Sequence, residues 1–233
     1  MRKAHIMPAV NKDDASVERG TGQLTLVQQR SRDRQAMILA EAAQIIAEVG
    51  SDALKMNALA QRCGISIGSL YQHFRDKGAV LSSIAERYHA ATRDCIDEAL
   101  DKATEWQAFA NGFAGLIDDY YGMFLAEPVI RDVWSGIAAD KQLQALELRS
   151  SRENGAHLAR HILRVTPDAD PDAVQEAAFF VMALGESVMR FAILCPPEEG
   201  HLHVARYSEM ALAELARAAG VPINPANRRS SAE

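Results

Sequence analysis

The chain has 233 residues, of which 48% are hydrophobic and 24% are charged, and these proportions exclude a disordered or fibrous protein. Cys63, Cys95 and Cys195 are odd in number and far apart, so they predict neither a disulfide framework nor a CxxC metal knuckle. No segment has the apolar length of a membrane span, and no apolar stretch follows the basic start. We therefore expect a cytoplasmic protein that does not attach to membranes.

The net charge of −6 is unevenly distributed along the chain. Residues 1–90 carry 12 Lys and Arg against 9 Asp and Glu, whereas residues 91–233 carry 13 against 22. A charge run is in most proteins only a solvated face. A positive amino-terminal part beside an acidic remainder nevertheless favours two domains with different partners.

Helical periodicity, without a convincing alternating strand, predicts an all-α fold. Residues 1–30 are polar and aperiodic, so we expect a flexible arm there and a frayed tail over 221–233. Between them we expect a helix-turn-helix domain over 31–78 and a helical regulatory and dimerisation domain over 79–220. The expected helices cover about 31–49, 56–63, a short segment after Ser66, 77–101, 105–126, a segment from Pro128, 141–165, 171–194 and 202–219.

The most informative stretch is 63–77, Cys-Gly-Ile-Ser-Ile-Gly-Ser-Leu-Tyr-Gln-His-Phe-Arg-Asp-Lys. Gly64 can take the positive φ that ends a helix, and Ser66 is a suitable N-cap for the next one. Leu70 and Phe74 are four residues apart and predict a buried face. The other face has no carboxylate, which suits a groove lined with phosphates. The pattern predicts the turn and second helix of a DNA-binding helix-turn-helix.

Residues 35–88 resemble the TetR family of bacterial transcriptional repressors. The resemblance rests on residues 38–43 (Ile-Leu-Ala-Glu-Ala-Ala), 49–50, 59–60 and 63–66, and most specifically on 68–74 (Gly-Ser-Leu-Tyr-Gln-His-Phe) followed by Asp76 and Lys77. It implies an all-helical homodimer that binds a palindromic double-stranded DNA operator. A small, apolar effector would bind the carboxy-terminal domain and release the DNA, and the resemblance implies neither an enzyme nor a cofactor.

The resemblance also implies roles for particular residues. The phosphate backbone would be contacted by Tyr71, His73 and Lys77, and base edges by Ile67, Gly68, Ser69 and Gln72, while Asn57 matches a position that sometimes reaches the groove. Lys55 and Met56 stand where a Ser or Thr often caps the second helix, and Gly78 stands where an acidic residue is common. The ordinary alternative is a helical hairpin in which Tyr71 and Phe74 are core aromatics and His73 is a surface side chain.

Arg30, Arg32 and Arg34 lie at the beginning of the first expected helix. They would reach an adjacent minor groove as part of a basic arm, or they form only a solvated helix start.

Small residues recur with steps of four and three in the last two expected helices. They are Val174, Ala178, Val181, Gly185, Val188 and Ala192, and then Val204, Ser208, Ala211, Leu215 and Ala218. This spacing suits either an intrachain core or a four-helix interface around a two-fold axis. We favour the interface, because two recognition helices must be held about 34–36 Å apart, or a multiple, to meet successive half-sites.

Aromatic and sulfur side chains in the acidic part predict an apolar effector pocket, although such residues are more often plain core. The candidates are Phe109, Phe113, Tyr120, Phe124, Trp134, Met182 and Glu186. Arg131, Glu186 and Arg190 are polar groups that would orient a ligand or sit at an interface.

Metal-binding and catalytic signatures are weak. His157 and His161 are four residues apart but lack the HExxH pattern, and His201 and His203 lie near an expected helix start, so we expect solvated histidines and no metal site. No nucleophile elbow, P-loop or Rossmann fingerprint is present in the sequence. The competing hypothesis is a helical small-molecule-binding protein or enzyme without regulatory DNA binding.

Overall fold

The computed structural model describes residues 22–126, 129 and 141–222. These residues contain eight helices and no strand, which confirms the expected all-α fold. The helices are α1 (Gly22–Val49), α2 (Met56–Arg62), α3 (Ile67–His73), α4 (Lys77–Leu100), α5 (Trp106–Ala126), α6 (Lys141–Val165), α7 (Pro171–Ala192) and α8 (Pro197–Ala218).

The chain divides into two compact units, of which the first ends at Ile84 and the second begins at Ala85. Within the described ranges, no helix combines the length and apolar character that a membrane crossing requires.

Local sequence signals end and begin the helices of the first unit. Gly50 and Gly64 have φ of 82° and 63°, the left-handed conformation that glycine adopts at low cost, and they follow α1 and α2. The Ser66 hydroxyl accepts a hydrogen bond from the Ser69 N–H at 3.1 Å, and Asp76 Oδ1 accepts one from the Ala79 N–H at 2.7 Å. Lys55 gives α2 no side-chain cap, as the sequence predicted.

Two helices are longer than their sequence patterns suggested. α1 begins at Gly22, so the expected flexible arm is wrong for residues 22–30, while residues 1–21 lie outside the described part. Residues 28–35 of α1 are all exposed. Because this part of the helix buries no face, its sequence has no apolar periodicity from which a helix could be predicted. Gln29 instead donates to Asp33 at 2.9 Å, an i,i+4 pair that supports the exposed turn.

The other longer helix is α8, which begins at Pro197 although 195–200 was expected to be a break. Proline is well suited to the first helical position, because its missing N–H would have no partner there. Glu198 and Glu199 lie in the first turn, where the positive end of the helix dipole favours carboxylates. Apart from Val129, the helix expected from Pro128 falls outside the described residues, and so does the tail over 223–233.

The second unit is held by close contacts among α6, α7 and α8. A side chain at Gly155 of α6 would lie 2.7 Å from Phe179 Cα of α7, so glycine allows the two backbones to approach. Gly185 of α7 similarly leaves room for the Tyr207 ring of α8, and the Tyr207 hydroxyl donates to the Val181 carbonyl at 2.6 Å.

The small-residue pattern that we assigned to a dimer interface serves this intrachain packing. Nine of its residues are buried within the single chain: Val174, Ala178, Val181, Gly185, Ala192, Val204, Ser208, Ala211 and Leu215. The preferred interpretation of these residues as an interface is therefore wrong, because the same four-and-three spacing fits any pair of packed helices.

Asp97 of α4 is the centre of an ionic cluster with α6. Its carboxylate accepts from His161 Nε2 at 2.8 Å, Arg160 Nη2 at 2.7 Å and His157 Nδ1 at 3.2 Å. His161 is 1% exposed, so the expectation of a solvated histidine is wrong there. Burial raises the pKa of Asp97, but the hydrogen bonds from His161, His157 and Arg160 outweigh it and lower the pKa from 3.8 to about 2.

We predict that Asp97→Asn destabilises the protein in a pH-dependent way. Because the folded-state pKa is depressed, the ionised carboxylate contributes stability that is complete above pH 3.8 and is lost as the pH falls towards about 2. The contribution is at most about 2 kcal/mol, from the size of the shift. Urea unfolding of both proteins at pH 6, 4 and 3 should show a gap in unfolding free energy that narrows only at the lowest pH. A gap that widens on acidification would contradict the assignment.

Candidate functional site

The short helix α3 buries one side and exposes the other. Leu70 and Phe74 are 0% and 5% exposed, whereas Tyr71 is 50% exposed and Ile67 is 37% exposed. Gly68 and Gln72 are also exposed, and Ser69 and His73 are half-buried. All six residues that were expected to meet bases or phosphates on α3 therefore lie on one short helix whose other side is anchored in the core.

The sequence between Asp52 and Asp76, which includes α2, the turn and α3, contains no acidic side chain. The cations in that interval are Lys55, Arg62 and Arg75, and Arg75 is 70% exposed beside Asp76. Without a nearby carboxylate in this interval, a phosphate approaching α3 meets little local repulsion.

Arg62 has a structural role that the sequence reasoning missed. Its guanidinium donates to Glu48 at 2.6 and 2.7 Å, to Glu41 at 3.1 Å and to Gln44 at 3.1 Å, all on α1. The hydrogen bond from Arg62 is the main cause of a lowered pKa at Glu48. These contacts hold the end of α2 against α1, immediately before the turn that leads into α3. The spacing of carboxylates at 41 and 48 on one helical face was the available signal.

Lys77 lies at the start of α4, and its ammonium donates to the carbonyls of Ser51 and Asp52 at 3.1 and 3.2 Å. Two of its three donor positions are thus used to hold the connection between α1 and α2. The contact between Lys77 and a phosphate remains a prediction. A phosphate would compete with the two carbonyls for the ammonium group of Lys77.

The remaining expected DNA residues are dispersed. Asn57 is exposed in the first turn of α2. Arg30, Arg32 and Arg34 are exposed side chains inside α1, and not part of an arm that precedes the first helix.

The expected effector residues of the second unit form mainly core. Phe109, Phe113 and Phe124 are all 0% exposed. The rings of Phe109 and Phe113 are 6.2 Å apart, and those of Tyr120 and Phe124 are 5.0 Å apart. Met182 is half-buried and Glu186 is buried, whereas Trp134 lies outside the described residues.

Polar side chains accompany this aromatic core. His89 and Glu186 are 1% and 3% exposed, and His89 Nδ1 lies 3.6 Å from Glu186 Oε1. Thr92 is buried one turn further along α4, and Tyr207 is 4% exposed on α8. Sequence reasoning missed His89 and Thr92, although Ala85, His89, Thr92 and Ile96 repeat at helical spacing and share the buried side of α4.

The charge state of this buried polar group is set mainly by desolvation. Burial lowers the pKa of His89 to about 4, with Arg93 adding to the effect and Glu147 opposing it, so the imidazole is neutral near pH 7. Burial and the charge of Glu186 raise the pKa of Tyr207 and of Tyr120. Neutral donors and acceptors beside one carboxylate can recognise the polar edge of an otherwise apolar molecule.

A separate open groove of about 400 Å³ lies between α7 and α8. It is lined by Phe180, Val181, Leu184, Tyr207, Met210, Ala211, Ala213, Glu214 and Arg217. None of the six expected effector residues in the described part of the chain lines this groove.

Both parts of the chain are similar to known families. Residues 38–84 match the family described as bacterial regulatory proteins, tetR family. Residues 105–219 match the tetracyclin repressor-like C-terminal domain. No curated protein matches the chain.

Solved structures share the fold. A TetR-family transcriptional regulator from Streptomyces coelicolor is 22% identical, with a TM-score of 0.63 and coverage of 80% of this chain and 98% of that one. One from Pectobacterium atrosepticum is 22% identical, with a TM-score of 0.61 and coverage of 84% and 98%. RolR in complex with its ligand resorcinol is 19% identical, with a TM-score of 0.57 and coverage of 84% and 97%.

We predict that Lys77→Met destabilises the protein by about 1–3 kcal/mol, since it removes charge-assisted hydrogen bonds to two carbonyls. Urea denaturation followed by circular dichroism measures the loss. Lys55→Met, at an exposed position, is the control and should stay within about 0.5 kcal/mol of the parent protein. An unchanged stability in Lys77→Met would show that these carbonyl contacts contribute nothing.

Proposed function

We propose that this chain, which belongs to the tetR family of bacterial transcriptional regulators, is a homodimeric repressor that binds a palindromic operator and is released by a small, apolar effector. A bacterial DNA-binding regulator works in the cytoplasm, where the chromosome lies. Regulators of this family are in general not enzymes, and we propose no catalytic activity for this chain.

The proposal that the chain binds DNA rests mainly on the exposed face of α3, which has no acidic side chain. A helix in the major groove contacts base edges through a few side chains, while others contact phosphates. Gln72 can pair with adenine through its amide, and Gly68 allows the backbone to approach closely. Tyr71 and His73 can donate hydrogen bonds to phosphate oxygens.

The homodimer is supported by an exposed apolar face on α7 and α8. Phe180 and Phe191 of α7 are 56% and 51% exposed, and Leu202 and Met210 of α8 are 61% and 65% exposed. Exposed apolar side chains that lie close together mark interaction surfaces, and Phe180 and Met210 line one groove. A second copy is the occupant that we propose, because a two-fold axis would present two α3 helices to the two halves of a palindrome. This face replaces the buried small-residue pattern as the candidate interface.

The effector site that we propose is the buried group of His89, Thr92, Glu186 and Tyr207, together with half-buried Tyr120, beside the aromatic core. The apolar body of an effector would pack against the aromatic core, and one or two hydroxyl groups on it would form hydrogen bonds with the polar group. RolR, a fold neighbour, holds resorcinol, so small phenols are the natural first probes. Release of DNA would follow if the effector binds better to a state in which the two α3 helices no longer match the half-sites.

We predict that the protein binds DNA from upstream of its own gene at least about a thousandfold more tightly than unrelated DNA. Gln72→Ala should weaken this specific binding by about 1–3 kcal/mol without changing its salt dependence, because no charge is removed. Fluorescence anisotropy titrations at several salt concentrations measure both quantities. Gln107→Ala, on exposed α5 surface, is the matched control and should bind like the parent. Equal losses in the two variants would overturn the role of α3.

We also predict that the protein is a dimer at micromolar concentration and that Phe180→Glu makes it monomeric, because a buried unpaired carboxylate would oppose association. Light scattering coupled to gel filtration measures the mass. Leu148→Glu is the control, since Leu148 is 49% exposed on α6, outside the proposed face. A monomeric parent protein, or a dimeric Phe180→Glu variant, would contradict the proposal.

For the effector, we expect at least one small phenol to raise the melting temperature and to release the operator in the anisotropy assay. Glu186→Gln should weaken that response at least about tenfold, through loss of a charge-assisted hydrogen bond, while operator affinity is retained. An undiminished response in Glu186→Gln would place the effector elsewhere. If resorcinol and related phenols all fail to bind, the proposed chemical class is wrong.

A further inference from the structure

Three side chains of different ligating chemistry converge where α7 ends and α8 begins. The ligand atoms of Cys195, Glu199 and His203 all lie within 4.8 Å of one another. Cys195 lies in the connection before α8, Glu199 lies in the first turn of α8, and His203 follows one turn later. Glu199 and His203 are four residues apart and share one face of α8, and Cys195 lies close to them from the preceding connection.

Local contacts restrict the positions of these groups. His203 Nε2 is 3.5 Å from Glu199 Oε1, and the His203 ring lies 4.9 Å from the Phe191 ring. The Cys195 thiol donates to the Phe191 carbonyl at 3.6 Å. Phe191 therefore lies against two members of the group. Cys195 and His203 are half-buried while Glu199 is exposed, so the group is open to solvent on one side.

The separations suit a small divalent ion. In tetrahedral zinc sites the bonds to sulfur, nitrogen and oxygen are about 2.0–2.3 Å, which puts neighbouring ligand atoms roughly 3.3–3.8 Å apart. The three ligand atoms are at most 4.8 Å apart, so small side-chain rotations would bring them to this spacing. A thiolate discriminates against magnesium and calcium, while zinc accepts thiolate, imidazole and carboxylate together.

We propose that Cys195, Glu199 and His203 bind one zinc-class divalent ion per chain. On binding, the Cys195 thiol gives its proton to solvent and the thiolate forms the metal–sulfur bond. Three protein ligands leave a fourth position for water or an external donor. The ion links the residues just after α7 to the first turns of α8. The proposal does not depend on DNA binding.

From the sequence we expected no metal site, because only the histidines were considered as ligands and the combination of Cys195, Glu199 and His203 was not recognised. Residues 195–200 were placed in a break, so the regular spacing from Cys195 through Glu199 to His203 was not recognised. The helical start at Pro197 is what brings the three together.

Cobalt titration of the full-length, reduced and tag-free protein tests the proposal. We expect one Co²⁺ per chain, with a thiolate-to-cobalt charge-transfer band and the intense visible bands of tetrahedral coordination. Zn²⁺ should displace the cobalt, whereas a large excess of Mg²⁺ should not. Cys195→Ser should abolish the charge-transfer band, and both Cys195→Ser and His203→Gln should weaken Zn²⁺ binding, measured by calorimetry, at least about tenfold.

Matched controls use the chain's other cysteines and the neighbouring histidine. The Cys63→Ser, Cys95→Ser double variant and His201→Gln should bind like the parent, because Cys63 and Cys95 lie elsewhere and the His201 ring packs on Tyr121 at 4.9 Å. Circular dichroism establishes that each variant is folded. The proposal is overturned if the parent gives no charge-transfer band, if the band survives Cys195→Ser, or if Zn²⁺ binding survives His203→Gln unchanged.

Discussion

The burial of Leu70 and Phe74 under α3 is the contact on which the DNA-binding unit depends. A seven-residue helix is too short to be stable by itself in water. Each fully buried apolar side chain contributes roughly 1.5–3 kcal/mol, which compensates for the poor intrinsic stability of such a helix. Because these two side chains point into the core, the side of α3 that carries Tyr71 and Gln72 must face outward.

Several polar interactions and helix-end residues fix the positions of α2, the turn and α3. Gly64 ends α2, and Ser66 caps α3 three residues before Ser69. Arg62 and Lys77 act at the two ends of this segment, Arg62 on α1 and Lys77 on the carbonyls of the connection after α1. Exposed ion pairs individually add little stability. The ion pairs of Arg62 act mainly on position, since they hold α2 against α1 just before the turn that leads into α3.

In the second unit, close backbone contacts enclose polar groups. The α6–α7 and α7–α8 contacts rely on Gly155 and Gly185, where any side chain would collide with Phe179 or Tyr207. His89 and Glu186 are buried in the same unit, and desolvation keeps the His89 imidazole neutral.

Local signals made much of the fold predictable. Gly64 and Ser66 set helix ends because their preferences act within a few residues, and the structure confirms both, while Gly50 and Asp76 act in the same way. Contacts between distant residues were not predictable in this way. Asp97 and His161 are 64 residues apart, and nothing local to either indicates the other. Helical spacing also did not distinguish packing within one chain from packing between two, which is why the small residues of α7 and α8 were misassigned.

The residues proposed to contact DNA could be recognised because a short motif places most of them on one helix. Their contacts with DNA could not be predicted in detail, since the DNA is a partner outside the chain.

The central claim is that two α3 helices of a dimer bind the two halves of a symmetric operator, and hydroxyl-radical footprinting on the DNA upstream of the gene tests it most directly. The account predicts two protected half-sites separated by about one helical turn, or a multiple, and related by two-fold symmetry. The absence of protection, or one continuous protected segment without symmetry, would contradict it.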